Sequence, residues 1–280
     1  MDLLILFAPV LLAALLGGAS AGLVGVFTLG LRMPFLAVCM AHAAMAGVVF
    51  ANLLGQPPAL GGFVGALVGT LILLAFLRHR QASAGGVVGL IFSFMLGLAF
   101  LGIGLQPGPK EGALGLMWGN LVFATYRDLW PLSTVFVLLV GFIAVYRREL
   151  KLLLFSRALA ASLISEGALL AGILLLSSAV ITVNLERVGG LLLYSLVCNP
   201  ALAAQRVARG LRSCLVWSGI LGAASAVINF LAAYALDLPV GACIVLVSSL
   251  VVGLAYGFVW LQGKRHGTER ARGGQPPILQ

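Results

Sequence analysis

Apolar residues fill this chain in long stretches, each broken by a few polar, glycine or proline positions. The two-residue alternation of a half-buried strand does not organise them, nor does the one-sided stripe of a soluble surface helix. A helix rising 1.5 Å per residue needs roughly 20 apolar residues to cross the hydrocarbon core of a bilayer. Nine stretches come close to that length: 4–30, 35–54, 60–77, 86–105, 130–146, 169–184, 188–204, 215–236 and 240–261. The pattern therefore predicts an all-α, polytopic membrane protein with about nine transmembrane helices. The first stretch carries Asp2 where a secretory signal would carry basic residues, so it is read as a span.

Two connections are longer than turns. The segment 106–128 is rich in glycine and moderately apolar, which suits a loop that re-enters the membrane or lies along it. The segment 146–170 mixes charge with apolar residues at helical spacing, which predicts an amphipathic helix pair on one membrane face. Gly61, Gly65 and Gly69 make a GxxxGxxxG face, the pattern that lets two helices approach closely in lipid. Pro200 falls inside a predicted span and should kink it or free a backbone carbonyl. Asp237, two residues before Pro239, is expected to cap the start of the last span.

Composition agrees with the pattern: 61% of the 280 residues are hydrophobic and 9% are charged. The mean hydropathy is +1.13. The net charge of +9 would suggest nucleic acid in a soluble protein, but here its distribution explains it. With nine spans and a cytoplasmic C-terminus, 14 of the 17 Lys and Arg fall on the inner side, and only Lys110, Arg127 and Arg187 fall outside. Asp2, Glu111, Asp128, Glu186 and Asp237 face outward, giving the outer mouth a mildly acidic bias that favours an arriving cation. Basic inner loops attract anionic lipid, and no nucleic-acid partner is needed. The four cysteines have no paired spacing, so neither a disulfide framework nor a zinc knuckle is indicated.

Ionisable groups inside spans are costly and mark function. His42, near the centre of the second stretch, is the clear case. Cys39, His42 and Met45 are three residues apart and climb one side of a helix, offering thiol, imidazole and thioether, all borderline or soft metal ligands. Cys39 and Met45 serve equally well as apolar filler. A neutral imidazole would hold a divalent cation loosely, which suits passage, and transport should fall as pH drops through the His range near 6.5. No carboxylate stands at membrane depth, which argues against a proton- or sodium-coupled carrier and against an intramembrane hydrolase. The chain also lacks a GxxxxGK[ST] phosphate loop, so any use of ATP falls to another chain.

The run RMPFLAVCMAHAAMAG, with Arg32, Met33, Phe35, His42 and Gly47, resembles a segment of the permease subunits of zinc, manganese and iron ABC importers. Four later segments are similar to the same family in the same order: WGNLVFATYRDL, FSRALAASLIS, ERVGGLLLYSLVCNPALAAQRVA and DLPVGACIVLVSSLV. The resemblance implies a type II ABC importer-like permease and no enzyme. Its membrane domain would cover 1–262, with a cytoplasmic coupling segment about 147–168 and a basic, disordered cytoplasmic tail at 263–280. Phe155, Arg157, Leu159 and Glu166 would meet the ATPase, although Glu166 taken alone reads first as a solvated charge.

It further implies a second permease copy, an ABC ATPase subunit that binds the ATP, an extracytoplasmic metal-binding protein and a prokaryotic inner membrane. No resident cofactor is implied, only a transported ion passing His42, Cys39 and Met45. Where the family has an aspartate four residues before the histidine, this chain has Val38, and Ala41 replaces the preceding serine. Loss of the hard carboxylate shifts the expected cargo toward zinc. Manganese, iron or a metal chelate are alternatives, as is a scaffold subunit without transport.

Overall fold

The computed structural model describes residues 2–77, 83–106, 119, 124–155, 160, 165–190 and 192–272, with side chains between Phe7 and Trp260. Its elements are α1 (Asp2–Gly30), α2 (Leu36–Leu53), α3 (Pro58–Leu77), α4 (Ala84–Leu105) and α5 (Tyr126–Val145), followed by α6 (Arg147–Phe155), α7 (Glu166–Val188), α8 (Leu193–Val207), α9 (Leu211–Leu236) and α10 (Val240–Arg272). Among the described residues, eight helices are long and apolar enough to cross a membrane. The remaining expected span, 188–204, is the 15-residue helix α8. Gly189, at φ 89°, stops α7, and α8 starts only at Leu193.

Local chemistry sets the helix ends. Ser83 caps α4 by accepting the N–H of Gly86 at 3.2 Å. Pro58 opens α3, where its missing N–H costs nothing. At α5, Thr125 donates both its N–H (2.7 Å) and its hydroxyl (2.8 Å) to Asp128 Oδ2. Asp237 is not the cap of the last span. It adopts the left-handed conformation (φ 52°, ψ 43°) and closes α9, its N–H donating to the Ala233 carbonyl. Short polar side chains tolerate that conformation, and this is what an aspartate offers here. At the other end of the chain, α10 runs through Arg272, so the expected boundary at 262/263 falls inside a helix. Of the expected amphipathic pair, α6 is present with Leu150 and Leu153 buried, and most of the second half lies outside the described residues. The segment 106–128 is also largely outside them; Gly119, at φ 77°, packs against the backbone of Val188 and Gly189.

Two tightly packed groups make up the bundle. In the first, α2 carries α3 on one flank and α4 on another; in the second, α1, α8, α9 and α10 pack together. Helix α7 touches α2, α3, α5 and α1 and joins the groups. Lipid tails are as apolar as leucine, so such contacts rest on close fit and polar pairing. The expected GxxxG face does this work. Cβ atoms at Gly61 and Gly65 would strike the backbone carbonyls of Gly47 and Ala43, and one at Gly47 would strike that of Gly61. The second group repeats the device with Gly18 against Gly222, Gly22 against Ser218 and Gly25 against Val197. Ser218 adds a hydrogen bond to the Gly22 carbonyl at 2.6 Å. The outward faces of α3, α4, α5, α9 and α10 carry exposed apolar side chains, as lipid-facing helices require.

Candidate functional site

The break between α1 and α2 is the RMPF run. Arg32 takes a positive φ of 60°, and Met33 is fully buried beneath it, its N–H bonded to the Thr28 carbonyl at 2.8 Å. This turn launches α2 into the centre of its group, where Cys39, His42 and Met45 are all buried. The imidazole of His42 donates from Nδ1 to the Val38 carbonyl at 2.8 Å, because a carbonyl can only accept. In the neutral ring that leaves the Nε2 lone pair as the donor available to a metal, and a backbone carbonyl on the other nitrogen is the usual support for a metal-binding histidine.

The ring nevertheless points toward α4. It stands perpendicular to the ring of Phe92 with centroids 5.0 Å apart and planes at 87°, and the residue is 2% exposed. Among the described residues no three His, Cys, Asp or Glu side chains gather to hold a metal.

The opposite side of α2 faces a column of hydroxyl groups. Two residues along a helix turn about 200°, so Met40 points away from His42. Its sulfur lies 3.4 Å from Thr70 Oγ1 on α3. Thr70 donates to the Ala66 carbonyl at 2.8 Å, which leaves the Ser178 hydroxyl of α7 to donate to Thr70 across 2.6 Å. One turn further, Thr182 donates to the Ser178 carbonyl at 2.8 Å. Above Thr182 a cavity of about 90 Å³ opens between the ends of α2, α3, α5 and α7, with Asp128, Glu186 and Arg187 on its walls.

A neighbouring void of about 10 Å³ is lined by Asn184, Arg187 and Asn229. The Asn229 amide is buried there without a hydrogen-bond partner, and Asn184 donates to the Val180 carbonyl at 2.9 Å. Neutral oxygens beneath a mouth of mixed charge are chemistry that a partly hydrated cation can use. Sequence reading missed this column because it weighed ionisable groups alone. A signal was present in SSAVITVN, where Ser178 and Thr182 are four apart and Ser177 and Asn184 seven apart, each pair sharing a face.

Arg187 braces the mouth by donating to Asp128 Oδ1 at 2.6 Å, with the two side chains 16% and 23% exposed. Asp128 thus divides its oxygens between the α5 cap and the ion pair. Asp128→Asn keeps an oxygen for the cap and loses only the pair, so about 1 kcal/mol of stability should go; Asp128→Ala loses both and should cost about 2 kcal/mol. Thermal unfolding of the purified variants measures the difference; no loss in Asp128→Asn would mean that the pair contributes nothing, and equal losses in the two that the cap does not.

Of the residues expected to meet an ATPase, Phe155 stands 82% exposed at the end of α6, and Glu166 lies in the first turn of α7. Arg157 and Leu159 fall outside the described residues.

Residues 4–258 match the family described as the ABC 3 transport family. The chain is 26% identical over 241 residues to a manganese import system permease protein, ScaB, of Streptococcus parasanguinis, covering 86% of each chain. It is 28% identical over 228 residues to a zinc transport system membrane protein, TroC, of Treponema pallidum, covering 78% of this chain and 76% of that one. Among solved structures, PsaBC from Streptococcus pneumoniae in complex with Fab superposes with a TM-score of 0.79 at 22% identity, covering 90% of this chain and 91% of that one. That likeness concerns the fold.

Proposed function

Since the chain belongs to the ABC 3 transport family, we propose that it is the permease subunit of an importer for a divalent transition-metal ion, with zinc as the first candidate and manganese as the second. The observation that carries the reading is the family match, which extends over nearly every span of the bundle. Its relatives include chains named for manganese and for zinc, so the class of cargo rests on them and the choice within it on this chain's own residues. Val38 puts no carboxylate beside His42, and nitrogen or sulfur donors without a hard oxygen favour zinc over manganese.

The ion enters at the mouth formed by Asp128, Glu186 and Arg187. His42 becomes a contact when α4 withdraws Phe92, in the alternating movement that an ABC ATPase subunit drives. Cys39 and Met45 are secondary contacts on the same helix. The ATPase docks at 147–168, with Phe155 and Glu166 at the joint and Arg157 and Leu159 between them. A second permease copy and an extracytoplasmic metal-binding protein complete the assembly. It sits in a prokaryotic inner membrane with its C-terminus in the cytoplasm, an orientation supported by the bias of Lys and Arg.

Uptake of radioactive zinc and of manganese by chelator-treated cells with and without the chain tests the proposal. Loss of zinc uptake with manganese uptake intact is the expected result. The reverse would move the cargo to manganese, and no change in either would make the chain a scaffold.

A further inference from the structure

At the end of the bundle remote from the Asp128 mouth, a cavity of about 810 Å³ lies between the α5–α6 corner and the start of α9. Helices α5 and α9 both pack on α1, and Leu154 of α6 closes over Gly30 at the end of α1, so the cavity is a crevice with a floor. Its walls change character along its length. Ile143 and Ala144 of α5 and Leu215 and Val216 of α9 are apolar, whereas Arg147, Arg148, Lys151 and Arg212 bring four positive charges to the rim. The acid nearest in sequence, Glu149, is not on the walls. A neighbouring cation is already engaged: Arg206 lies 4.0 Å over the ring of Tyr256.

We propose that this crevice is a binding site for an anionic phospholipid, with the phosphate held by Arg148, Arg212 and their two basic neighbours and an acyl chain lying on the apolar walls. A volume of this size holds a headgroup and the first part of its chains. Basic pockets between transmembrane helices at the inner face recognise such heads, and guanidinium groups pair with phosphate through two parallel hydrogen bonds. A soluble anion would use the rim and leave the walls empty, and it is the walls that select lipid. The inference rests on the orientation given above, which puts this rim at the cytoplasmic leaflet.

The full-length protein, purified in detergent and offered nanodiscs of phosphatidylcholine with or without phosphatidylglycerol, reports bound lipid by native mass spectrometry. Retention of phosphatidylglycerol over phosphatidylcholine is expected, and each basic group near the lipid surface is worth about fivefold. Arg148→Gln alone should therefore lose about fivefold and the double variant with Arg212→Gln roughly 25-fold, with thermal unfolding unchanged. Inorganic phosphate should not displace the lipid; if it does so at concentrations that leave other lipids bound, the site is an anion site and the proposal fails. It fails too if the variants keep their lipid, or if they keep their lipid and lose the ATPase subunit, which would make the rim a protein dock. Orientation is read separately by labelling Arg148→Cys with a membrane-impermeant thiol reagent, since the native cysteines are buried. Labelling in intact cells would overturn the orientation while leaving the lipid result to stand or fall alone.

Discussion

Gly65→Val should leave little folded protein. The α2–α3 contact is backbone on backbone: a Cβ at Gly65 meets the Ala43 carbonyl and the Cα of Gly47, and none of these atoms can rotate aside as a side-chain tip would. Either the helices separate, losing the neighbouring Gly47–Gly61 contact as well, or the backbone bends. Overpacking a fitted interior costs about 1–3 kcal/mol even where side chains can adjust, so Gly65→Ala should cost about 3 kcal/mol and the branched valine more. Thermal unfolding in detergent and the yield of monodisperse protein measure this. Gly141, on α5, has open space where a Cβ would go, and Gly141→Ala is the control, expected to be neutral or to gain up to about 1 kcal/mol from helix propensity. If both substitutions melt alike, the close approach of α2 and α3 does not hold this group together.

The second large effect concerns transport. His42→Asn should abolish most metal uptake while the protein remains folded. An asparagine amide can still donate toward the Val38 carbonyl, as Nδ1 does across 2.8 Å, but it carries no lone pair where Nε2 stands. The two functions of the ring, tying down the helix and meeting an ion, are thereby separated. Uptake should fall at least about tenfold, the lower end of what loss of even a supporting partner does to a metal site. His42→Ala should transport equally poorly and melt lower, because it also leaves a void against Phe92. Full uptake by the asparagine variant would remove His42 from the route and leave the Thr70–Ser178–Thr182 column as the place to search.

Why the sequence led to His42 and missed that column follows from helix geometry. Spacing determines which residues share a face, so Cys39, His42 and Met45 were identifiable as a stripe. It does not determine what the face meets. Two residues from His42 the helix has turned to its far side, and there Met40 meets Thr70 and the hydroxyls of α7. Serine and threonine in a span satisfy themselves on carbonyls within their own helix, as Thr182 does on Ser178, so they cost little and leave hydropathy almost unchanged. The glycine face, by contrast, was legible because a missing side chain has few uses in lipid other than close approach. Asp237 was misread for a local reason. The pattern Asp-x-Pro suits the start of a helix, and the same aspartate can close the preceding helix by entering the left-handed region, a choice that depends on where α9 has to stop.

The shortness of α8 was hidden in the same way, since apolar counting runs straight across Gly189 and Gly190. Its 15 residues reach about 22 Å, against a hydrocarbon thickness of about 30 Å. A segment of that reach, with Asn199 at its middle and Gln205 and Arg206 near its end, cannot remain in bilayer lipid on its own. What shelters it is α1, synthesised long before, together with α9 and α10, which leave the ribosome afterwards. Biogenesis is therefore out of register with chain order at this point: α8 can settle only once later-made helices have been inserted, and a chain truncated after Val207 should expose it to quality-control proteolysis.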